Sequence, residues 1–384
     1  MTPRVVILSE IIAPYRIPVF NALARDKRID LHVVFLSEND PFLREWRINK
    51  DELQFSYEVL PNYRRRVAGC NLLLNRGLAD TLSKTSPQAI ICGGYNYFAS
   101  WQAVLWARRN NVPFLLWSES NLYDLRRKYP PVEWLKSHFL RRCTGYIVPG
   151  SASCDYLRTY ELPQQKITRA PNAVDNALFG QAAEEARQQS TKFRGMYGLP
   201  GRYFLFVGRL VPEKGVLELL DAYGELAPDL RSEIGLLFVG NGRCQEELVR
   251  RASRIQTGVV KFSGFLQRDI LPGFYALADM LILPTHSDTW GLVVNEAMAC
   301  GLPVISTSVA GCSADLVQDG WNGLVVPPRD VGQLAAAMDS LARNAELRRQ
   351  MGENSARKIA MYSPANCAAG LARAASVSLG AISG

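Results

Sequence analysis

The 384-residue sequence has few of the residues that hold metal ions or form disulfides. Its three histidines, His32, His138 and His286, are too dispersed to predict a metal-ligand cluster. Its eight cysteines include no C-x-x-C pair, and no two of them lie closer than eleven residues. Because most of them fall in apolar runs, we interpret them as reduced core residues of a cytoplasmic protein.

The sequence also lacks the long apolar run that predicts a membrane-spanning helix. The uncharged stretch between Lys84 and Arg108 comes closest, but Gly93, Gly94 and several polar residues interrupt it, which favours a buried strand, a turn and a helix. Glu10 and Pro14 interrupt the apolar N-terminus, so a first strand is predicted there rather than a signal peptide. A G-x-G-x-x-G motif is absent, which argues against a dinucleotide dehydrogenase.

The composition is that of a soluble globular protein, with 48% hydrophobic and 21% charged residues. At about 150 residues per domain, the length corresponds to two or three domains. The net charge of +8 and the pI near 9.1 favour anionic partners, such as nucleic acids, phosphate-bearing substrates or an anionic membrane.

Short apolar runs alternate with longer helical patterns along the whole chain. In the first half, strands are predicted at 4–9, 31–36, 54–60, 89–92, 114–117 and 145–148, and helices at 17–25, 72–83, 98–109 and 132–142. In the second half, strands are predicted at 203–207, 235–239, 259–263, 280–283, 303–306 and 323–326, and helices at 216–223, 244–254, 270–276, 292–300 and 331–342. Fully apolar strands that alternate with helices are typical of parallel sheets covered by helices.

The alternation restarts after a polar, helix-prone stretch at 181–192 and a turn-rich stretch at 195–202. The sequence therefore predicts an N-terminal doubly wound domain at 1–175, a linker at 176–200 and a C-terminal doubly wound domain at 201–364. In such domains ligands bind at the carboxyl ends of the strands.

The most informative segment is 285–306, in which a predicted strand leads into a loop and then a helix. Asp288 lies on the loop, Gly291 precedes the helix, and Glu296 lies inside it. Backbone N–H groups at such a helix start suit a phosphate, and the two carboxylates can accept hydrogen bonds from ligand hydroxyls. On spacing alone, Asp288 is equally well explained as a helix cap and Glu296 as a solvated residue.

The D-x7-E pattern of this segment resembles the E-x7-E signature of retaining GT-B glycosyltransferases of family 4. Asp288 stands where the family has the first glutamate, which keeps the charge but shortens the side chain by one methylene. The resemblance implies an α/β protein with a GT-B fold, in which two Rossmann-like doubly wound parallel-sheet domains face a central cleft. It also implies that a last helix, at 365–384, returns toward the N-terminal domain.

A second motif follows the first predicted strand of the second half, where Gly208, Arg209 and Lys214 precede a helix. Two cations on a glycine-flanked loop suit a diphosphate, whereas an isolated lysine at a helix entrance is more commonly a solvated residue. The G-R-x4-K-G pattern also resembles the diphosphate motif of the family. By this resemblance Arg209 and Lys214 neutralise the departing diphosphate. Asp288 is then expected to bind the donor sugar, and Glu296 the ribose of the nucleotide.

Further substrate-binding residues are implied by the same resemblance. The loops that contain Gly240 and Asn241, and Phe265 and Leu266, are similar to those whose backbone groups hold the nucleobase. Each of these loops alone is ordinary turn chemistry. The backbone groups that add to diphosphate binding are expected at Trp290, Gly291, Leu292 and Val293.

The N-terminal half resembles the family only loosely and is expected to bind the acceptor. Tyr15 and Arg16 follow the first predicted strand, where the family has a loop that lines the cleft. Glu119 lies just after another predicted strand, at a place where many relatives have a histidine. It is the candidate polar contact to the sugar or the acceptor, and a role in capping or in an ion pair explains it equally well.

The chain contains no Asp-x-Asp, the carboxylate pair that holds a metal–diphosphate complex in GT-A enzymes. We therefore expect neither a metal nor a resident cofactor. The basic clusters at 64–66, 126–128 and 141–142 are expected to form a solvated face, with contact to an anionic membrane or a lipid-diphosphate acceptor as the alternative. No nucleic-acid motif accompanies these charges.

The resulting hypothesis is a retaining, metal-independent glycosyltransferase of the hexosyltransferase type. It would move a sugar from a UDP- or GDP-linked donor to a hydroxyl of a glycan or lipid-linked acceptor, in the synthesis of cell-surface polysaccharides or glycoconjugates. It would be cytoplasmic, or peripheral at the inner face of the membrane. The alternatives are a sugar-nucleotide epimerase or glycan phosphorylase on the same fold, a non-catalytic nucleotide-sugar sensor, and a nucleic-acid-binding protein.

Overall fold

The computed structural model describes residues 2–41, 45–67, 70–123 and 129–380, and the chain divides into two compact units. The first unit contains Met1–Ser120, Arg126–Ala173 and Pro364–Gly384, and the second contains Asn121–Leu125 and Val174–Ser363. Each unit has a parallel β-sheet covered by helices, which confirms the predicted α/β architecture. The basic cluster predicted at 126–128 lies outside the described residues.

The first unit is built on a seven-stranded parallel sheet in the order β3-β2-β1-β6-β7-β8-β9. Its strands are β1 Arg4–Ser9, β2 Asp30–Phe35, β3 Ser56–Val59, β4 Asn62–Val67, β5 Cys70–Asn75, β6 Ala89–Cys92, β7 Phe114–Trp117, β8 Gly145–Val148 and β9 Ile167–Arg169. Its helices, apart from one at the end of the chain, are α1 Ile17–Ala24, α2 Leu78–Thr85, α3 Phe98–Arg109, α4 Pro130–Leu140 and α5 Ser151–Arg158. Strands β6, β7 and β8 are buried along their whole length, because helices cover both faces of the sheet.

The second unit has a six-stranded parallel sheet in the order β12-β11-β10-β13-β14-β15. Its strands are β10 Tyr203–Val207, β11 Gly235–Val239, β12 Val260–Phe262, β13 Met280–Leu283, β14 Val304–Thr307 and β15 Gly323–Val326. Its helices are α6 Asn176–Gln188, α7 Ser190–Tyr197, α8 Val216–Glu225, α9 Pro228–Glu233, α10 Gln245–Ala252, α11 Leu271–Ala276, α12 Leu292–Ala299, α13 Ser313–Leu316, α14 Val331–Arg343 and α15 Ala345–Ile359. These strands lie within one residue of the predicted ones.

The last helix, α16 (Pro364–Gly380), belongs to the first unit and packs against α1 there. Among the helices in the described part of the chain, none combines the length and the hydropathy needed to cross a bilayer. All seven cysteines whose side chains the structure describes are buried free thiols.

The helix predicted at 72–83 is wrong. Residues up to Asn75 form strand β5, which pairs antiparallel with β4 in a hairpin separate from the main sheet, and the helix begins only at Leu78. Gly77 separates the two elements with a left-handed φ of +79°. The run of leucines at 72–74 fits the helical period equally well, so the sequence pattern alone did not distinguish the two structures.

The segment 176–200, for which a linker is predicted, contains helices α6 and α7. Phe179 and Ala183 of α6 are buried in the same hydrophobic cluster as Phe274 of α11. Both helices therefore contribute to the core of the second unit, because their apolar side chains find a complementary surface on it.

Two loops at the carboxyl end of the second sheet cross at Gly208 and Gly240. Gly240 has a φ of +125°, and a Cβ atom at this position would lie 2.0 Å from the Gly208 carbonyl oxygen. The Gly208 N–H group donates to the Val239 carbonyl oxygen at 3.0 Å, which keeps the loops together. Only glycine permits this approach, so the crossing depends on residue 240 having no side chain.

We expect Gly240→Ala to lower the free energy of unfolding by roughly 2 kcal/mol or more, because both the backbone conformation and the close approach would have to change. Gly224→Ala is the matched control, because Gly224 lies in helix α8 with no atom within 4 Å of an added Cβ. The control should be more stable than the wild type by about 0.5–1 kcal/mol, since alanine favours helix. Chemical unfolding of both variants measures the difference; equal effects would refute the crossing argument.

Candidate active site

The strand order of the second sheet reverses between β10 and β13. In an open doubly wound sheet, ligands bind at the carboxyl ends of the strands beside such a reversal. Arg209 and Lys214 follow β10, and Asp288 follows β13. The fold thus places three of the four predicted catalytic residues on the two loops that flank this point.

Lys214 and Asp288 form an ion pair. The Lys214 ammonium donates to Asp288 Oδ2, and the two side chains are 15% and 16% exposed. The backbone keeps the two loops in place, because the Glu213 carbonyl oxygen accepts hydrogen bonds from the His286 N–H group and the Thr285 hydroxyl, both at 2.9 Å. The lysine is therefore paired with a carboxylate in this structure, so an incoming anion has to compete with that carboxylate.

Asp288 does not cap helix α12, although the sequence allows that role. The N-cap residue is Gly291, with a left-handed φ of +98°, and no side chain caps the helix. The Asp288 carboxylate instead accepts from the Trp290 N–H group at 3.3 Å. Asn121, which clusters with the second unit, donates to the Asp288 carbonyl oxygen at 2.7 Å. Asp288 is thus held at both its backbone and its side chain.

The start of α12 offers free hydrogen-bond donors. Within the described ranges, no group accepts a hydrogen bond from the backbone N–H groups of Gly291, Leu292 and Val293. Unpaired N–H groups and the positive end of the helix dipole attract anions. Trp290 has a different role: its side chain is 2% exposed and its indole N–H donates to Asn295 Oδ1 at 2.8 Å. Trp290 therefore supports the loop from inside the core.

Arg209 is exposed at the carboxyl end of β10. Its guanidinium forms no hydrogen bond or ion pair with any residue that the structure describes. The loop thus carries one paired cation, Lys214, and one unpaired cation. Because the Arg209 guanidinium has no described partner to leave, its N–H donors can turn toward a phosphate group.

Glu296 is a partly buried residue of α12 rather than a solvated one. The Tyr275 hydroxyl donates to Glu296 Oε2 at 2.7 Å. Burial raises the pKa of Glu296 to about 7, against the opposing effects of the Tyr275 hydrogen bond and the positive charge of Arg268. The carboxyl group therefore changes its charge near neutral pH.

Sequence reasoning missed Tyr275 and Arg268 as neighbours of Glu296. Tyr275 lies in an apolar stretch that indicates only a buried helix, and nothing in the sequence connects it to a residue on another helix.

His286, which the sequence leaves open, lies with its Nε2 atom 3.1 Å from Glu218 Oε1. Burial lowers the pKa of His286 in spite of that carboxylate.

The two predicted nucleobase loops lie side by side. The Gly240 N–H group donates to the Gly264 carbonyl oxygen at 2.7 Å, which joins the loop after β11 to the loop after β12. Asn241 is exposed, and its carbonyl oxygen accepts from the Leu210 N–H group at 2.9 Å. Phe265 and Leu266 are half-buried, and Leu266 packs against the core cluster that contains Trp290.

The first unit brings together its own predicted residues. Arg16 and Glu119 form an ion pair, with side chains that are 15% and 30% exposed. The Arg16 Cζ atom lies 3.8 Å from the centre of the Trp117 ring and 5.6 Å from that of Tyr15. Burial lowers the pKa of Arg16, but the charge of Glu119 and the nearby Tyr15 raise it by more, so its pKa is raised. The ion-pair role that the sequence allows for Glu119 is the observed one.

Residues of the types that bind metal ions do not cluster in the described part of the chain. Among the residues that it describes, no group of three or more histidine, cysteine, aspartate or glutamate side chains is arranged to hold an ion.

Comparison with known proteins matches both halves of the chain to family models. Residues 20–178 match the model described as "Glycosyltransferase Family 4", and residues 191–358 match "Glycosyl transferases group 1". The second range contains all the site residues of the second unit from Gly208 to Glu296.

The curated relatives are glycosyltransferases. Alpha-D-kanosaminyltransferase of Streptomyces kanamyceticus is 29% identical over 230 residues, which is 59% of this chain and 58% of that protein. A D-inositol 3-phosphate glycosyltransferase of Acidothermus cellulolyticus is 35% identical over 193 residues, which is 47% of this chain and 42% of that protein. The chain thus spans about half the length of the curated relatives it matches.

Solved structures show the same fold. HepE of Anabaena, crystallised with UDP-glucose, aligns with a TM-score of 0.74 over 98% of this chain and 100% of its own, at 18% identity. Sucrose-phosphate synthase of Thermosynechococcus elongatus aligns with a TM-score of 0.73 over 96% of this chain and 98% of its own, at 20% identity.

The raised pKa of Glu296 predicts that the stability of the protein depends on pH near neutrality. Between its ordinary value of 4.5 and about 7, the folded protein retains a proton that the unfolded chain has released, so stability falls as the pH rises. Glu296→Gln has no such proton. The variant should therefore gain stability relative to the wild type from pH 5 to pH 8, by roughly 2 kcal/mol after allowance for partial exposure. Chemical unfolding at the two pH values measures this difference.

Glu247→Gln is the control on the same unit. Hydrogen bonds from Arg250 and Arg251 lower the pKa of Glu247 to about 2, so its contribution to stability is present at neutral pH and is lost in acid. From pH 5 to pH 8 the difference in stability between this variant and the wild type should therefore stay nearly constant, because Glu247 is ionised in the folded and the unfolded chain over most of that range. If Glu296→Gln and the wild type have parallel pH profiles, Glu296 is an ordinary solvated carboxylate.

Proposed function

Because the chain belongs to the GT-B glycosyltransferases of family 4, we propose that it transfers a sugar from a nucleotide-diphosphate donor to an acceptor hydroxyl, with retention at the anomeric carbon. The observation that carries the proposal is the convergence of Lys214, Asp288 and the open start of α12 at the reversal of strand order. Cations, free N–H groups and a carboxylate together suit a sugar diphosphate.

The donor diphosphate binds between the loop after β10 and the start of α12 in this proposal. Arg209 and Lys214 neutralise the charge that develops on the leaving diphosphate, and the N–H groups of Gly291, Leu292 and Val293 add hydrogen bonds. Preorganised donors of this kind stabilise transition states by several kcal/mol in other enzymes, roughly 3–4 kcal/mol for one donor. The N–H groups at the start of α12 are held in place by the helix, whereas Lys214 has to leave Asp288 before it contributes.

The two carboxylates bind hydroxyl groups of the donor. Asp288 accepts hydrogen bonds from the sugar once Lys214 has moved to the diphosphate, and Glu296 accepts them from the ribose. Glu296 is suited to a defined partner because Tyr275 already orients one of its oxygen atoms. The loops at Gly240, Asn241, Phe265 and Leu266 hold the nucleobase.

The bond changes balance without a protein nucleophile. The anomeric carbon loses its bond to the β-phosphate oxygen and forms a bond to the acceptor oxygen on the same face. The proton of the acceptor hydroxyl passes to the departing diphosphate, whose new negative charge makes it the base. We propose that no metal or resident cofactor takes part, because Arg209, Lys214 and the helix start supply the positive charge.

The donor is UDP- or GDP-linked in this proposal, and the acceptor is a glycan or a lipid-linked glycan at the cytoplasmic face of the membrane, in glycoconjugate synthesis. Support for a uridine nucleotide comes from HepE, whose structure was solved with UDP-glucose. In the first unit, the Arg16–Glu119 pair offers both a cation and a carboxylate to the acceptor.

A screen of nucleotide sugars tests the proposed activity. Thermal unfolding of the full chain with UDP-, GDP- and dTDP-sugars should show stabilisation by one nucleotide, and that donor should be hydrolysed slowly in the absence of an acceptor. Both signals should persist in EDTA. The absence of binding and turnover across the panel would overturn the proposal, and loss of activity in EDTA would overturn the metal-free mechanism.

The Lys214–Asp288 pair makes a sharper prediction about the free nucleotide. Asp288→Asn removes the carboxylate that competes for Lys214, so UDP (or GDP, if the screen selects it) should bind about three- to ten-fold more tightly. Turnover should fall in the same variant, because the neutral amide cannot offer the same charged acceptor to the sugar. Calorimetry gives the affinity and initial rates give the turnover.

Lys214→Ala is the matched variant, and both its affinity for UDP and its turnover should fall. In the double variant the Asp288→Asn substitution should no longer improve UDP binding, because there is no lysine to release. If Lys214→Ala keeps the wild-type kcat and KM, the diphosphate clamp is wrong. If Asp288→Asn weakens UDP binding, the competition is wrong.

A further inference from the structure

Two side-chain contacts join the start of helix α8 to the loop after β13. In the first, Lys214 pairs with Asp288. In the second, the His286 Nε2 atom lies 3.1 Å from Glu218 Oε1, and the two side chains are 9% and 28% exposed. The proposed mechanism uses the first contact and assigns no role to the second.

The spacing of these four residues matches across the two segments. Lys214 and Glu218 are four residues apart at the start of α8, which corresponds to about 6 Å along a helix. His286 and Asp288 are two residues apart in the loop, and two residues of extended chain cover roughly the same distance. The segments pass each other in opposite directions, so the contacts resemble two rungs of a ladder. We call them the 286–218 rung and the 288–214 rung.

Backbone contacts fix the point where the two segments meet. The Glu213 carbonyl oxygen accepts hydrogen bonds from the His286 N–H group and the Thr285 hydroxyl. Gly215 has a φ of +66°, and a Cβ atom there would lie 2.0 Å from the Pro284 carbonyl oxygen. A single accepting oxygen holds the segments together but restricts their relative rotation only weakly. Side-chain contacts on either side of it restrict that rotation.

The 286–218 rung is suited to hold without interfering with the other rung. Burial lowers the pKa of His286, so the ring is neutral near pH 7 and does not compete with Lys214 for Asp288. The Nε2 atom is buried and has no aligned hydrogen bond among the described residues, although Glu218 is within ion-pair distance. Since a buried polar atom without a hydrogen bond is costly, a small rotation that aligns this contact is favourable.

We propose that His286 is a positioning residue, which through Glu218 holds the loop of Asp288 against α8 when the donor draws Lys214 away. This inference rests on the proposed function, in which the 288–214 rung opens because the lysine moves to the diphosphate. The 286–218 rung stays closed, and the carboxylate two residues along the loop keeps its place beside the sugar. In other enzymes a displacement of about 1 Å costs roughly a hundred-fold in rate.

Steady-state kinetics and calorimetry of the full chain test this role. His286→Ala should lower kcat about ten-fold or more with the donor that the screen selects, because the sugar-binding carboxylate loses its position. Its affinity for UDP (or GDP) should stay within about two-fold of the wild type, because Lys214 and the start of α12 still bind the diphosphate. Glu218→Ala should have the same effect, and the double variant should be no worse than either. His286→Gln should keep most of the turnover, because its amide N–H group can still donate to Glu218.

The control is Asp221→Ala, which removes a carboxylate three residues further along α8. Asp221 pairs with Arg251 at 3.4 Å, with side chains that are 48% and 38% exposed, and it contacts neither rung. Its kcat and its affinity for UDP should equal those of the wild type.

Chemical unfolding of the ligand-free chain tests the two rungs without any measurement of activity. Asp288→Asn removes the charge of the 288–214 rung, so the 286–218 rung then has to hold the segments alone. His286→Ala should therefore lower the denaturant midpoint more in the Asp288→Asn background than in the wild type. Asp221→Ala should lower it equally in both backgrounds.

The outcomes separate this inference from the proposed function. A wild type that neither binds nor turns over nucleotide sugars would overturn the proposed function, and with it any role of His286 in the reaction. If the wild type is active, the positioning role alone is wrong when His286→Ala keeps the wild-type kcat, when His286→Gln loses as much as His286→Ala, or when UDP affinity falls together with turnover. Additive shifts of the denaturant midpoint would also contradict it.

Discussion

The reversal of strand order in a buried parallel sheet is the constraint on which the site of this protein depends. Helices cover the faces of each sheet, and strands β10, β11 and β13 of the second sheet are apolar and buried along their whole length, so they have no place for chemistry there. Polar functional groups can therefore lie only in the loops beyond the ends of these strands. In the second sheet the two loops beside the reversal carry Lys214 and Asp288, and their ion pair is a direct consequence of parallel β10 and β13 being neighbours.

The two cations of the site differ in their pairing, and the difference has physical consequences. Lys214 is a compact charge in a partly buried position, where it would be costly without a counter-ion, and Asp288 supplies that counter-ion in this structure. Arg209 is exposed, so water solvates it and no protein partner is needed. In the proposed mechanism, a diphosphate with two or more negative charges replaces the single charge of Asp288 at Lys214 and also engages Arg209.

Sequence periodicity predicted the second sheet closely because most of its strands are short apolar runs between polar segments. The motifs then assigned Lys214 to the loop after β10 and Asp288 to the loop after β13, where the structure has them. The same reasoning wrongly predicted a helix at 72–83, because three consecutive leucines fit a strand and a helix equally well. The strand forms because β5 pairs with β4. The surroundings of Glu296 were not predictable either, because Tyr275 belongs to another helix and its role depends on how α11 packs beside α12. Local sequence patterns predict helices, strands and the identity of functional side chains. They do not predict packing partners, or the pKa values that those partners set, because the partners are far apart in the sequence.

The basic clusters of the first unit show why a charge count does not identify a binding surface. Arg64 belongs to a run of three arginines, yet its side chain is 6% exposed and pairs with Asp40 at 2.7 Å and with Glu10 at 3.3 Å. It is an internal structural charge, whereas Arg141 is exposed without a described partner. Burial separates the two roles. On α4 burial differs within a single helix, because the side chain of Lys136 is 14% exposed and paired with Glu133, whereas Trp134 is 66% exposed.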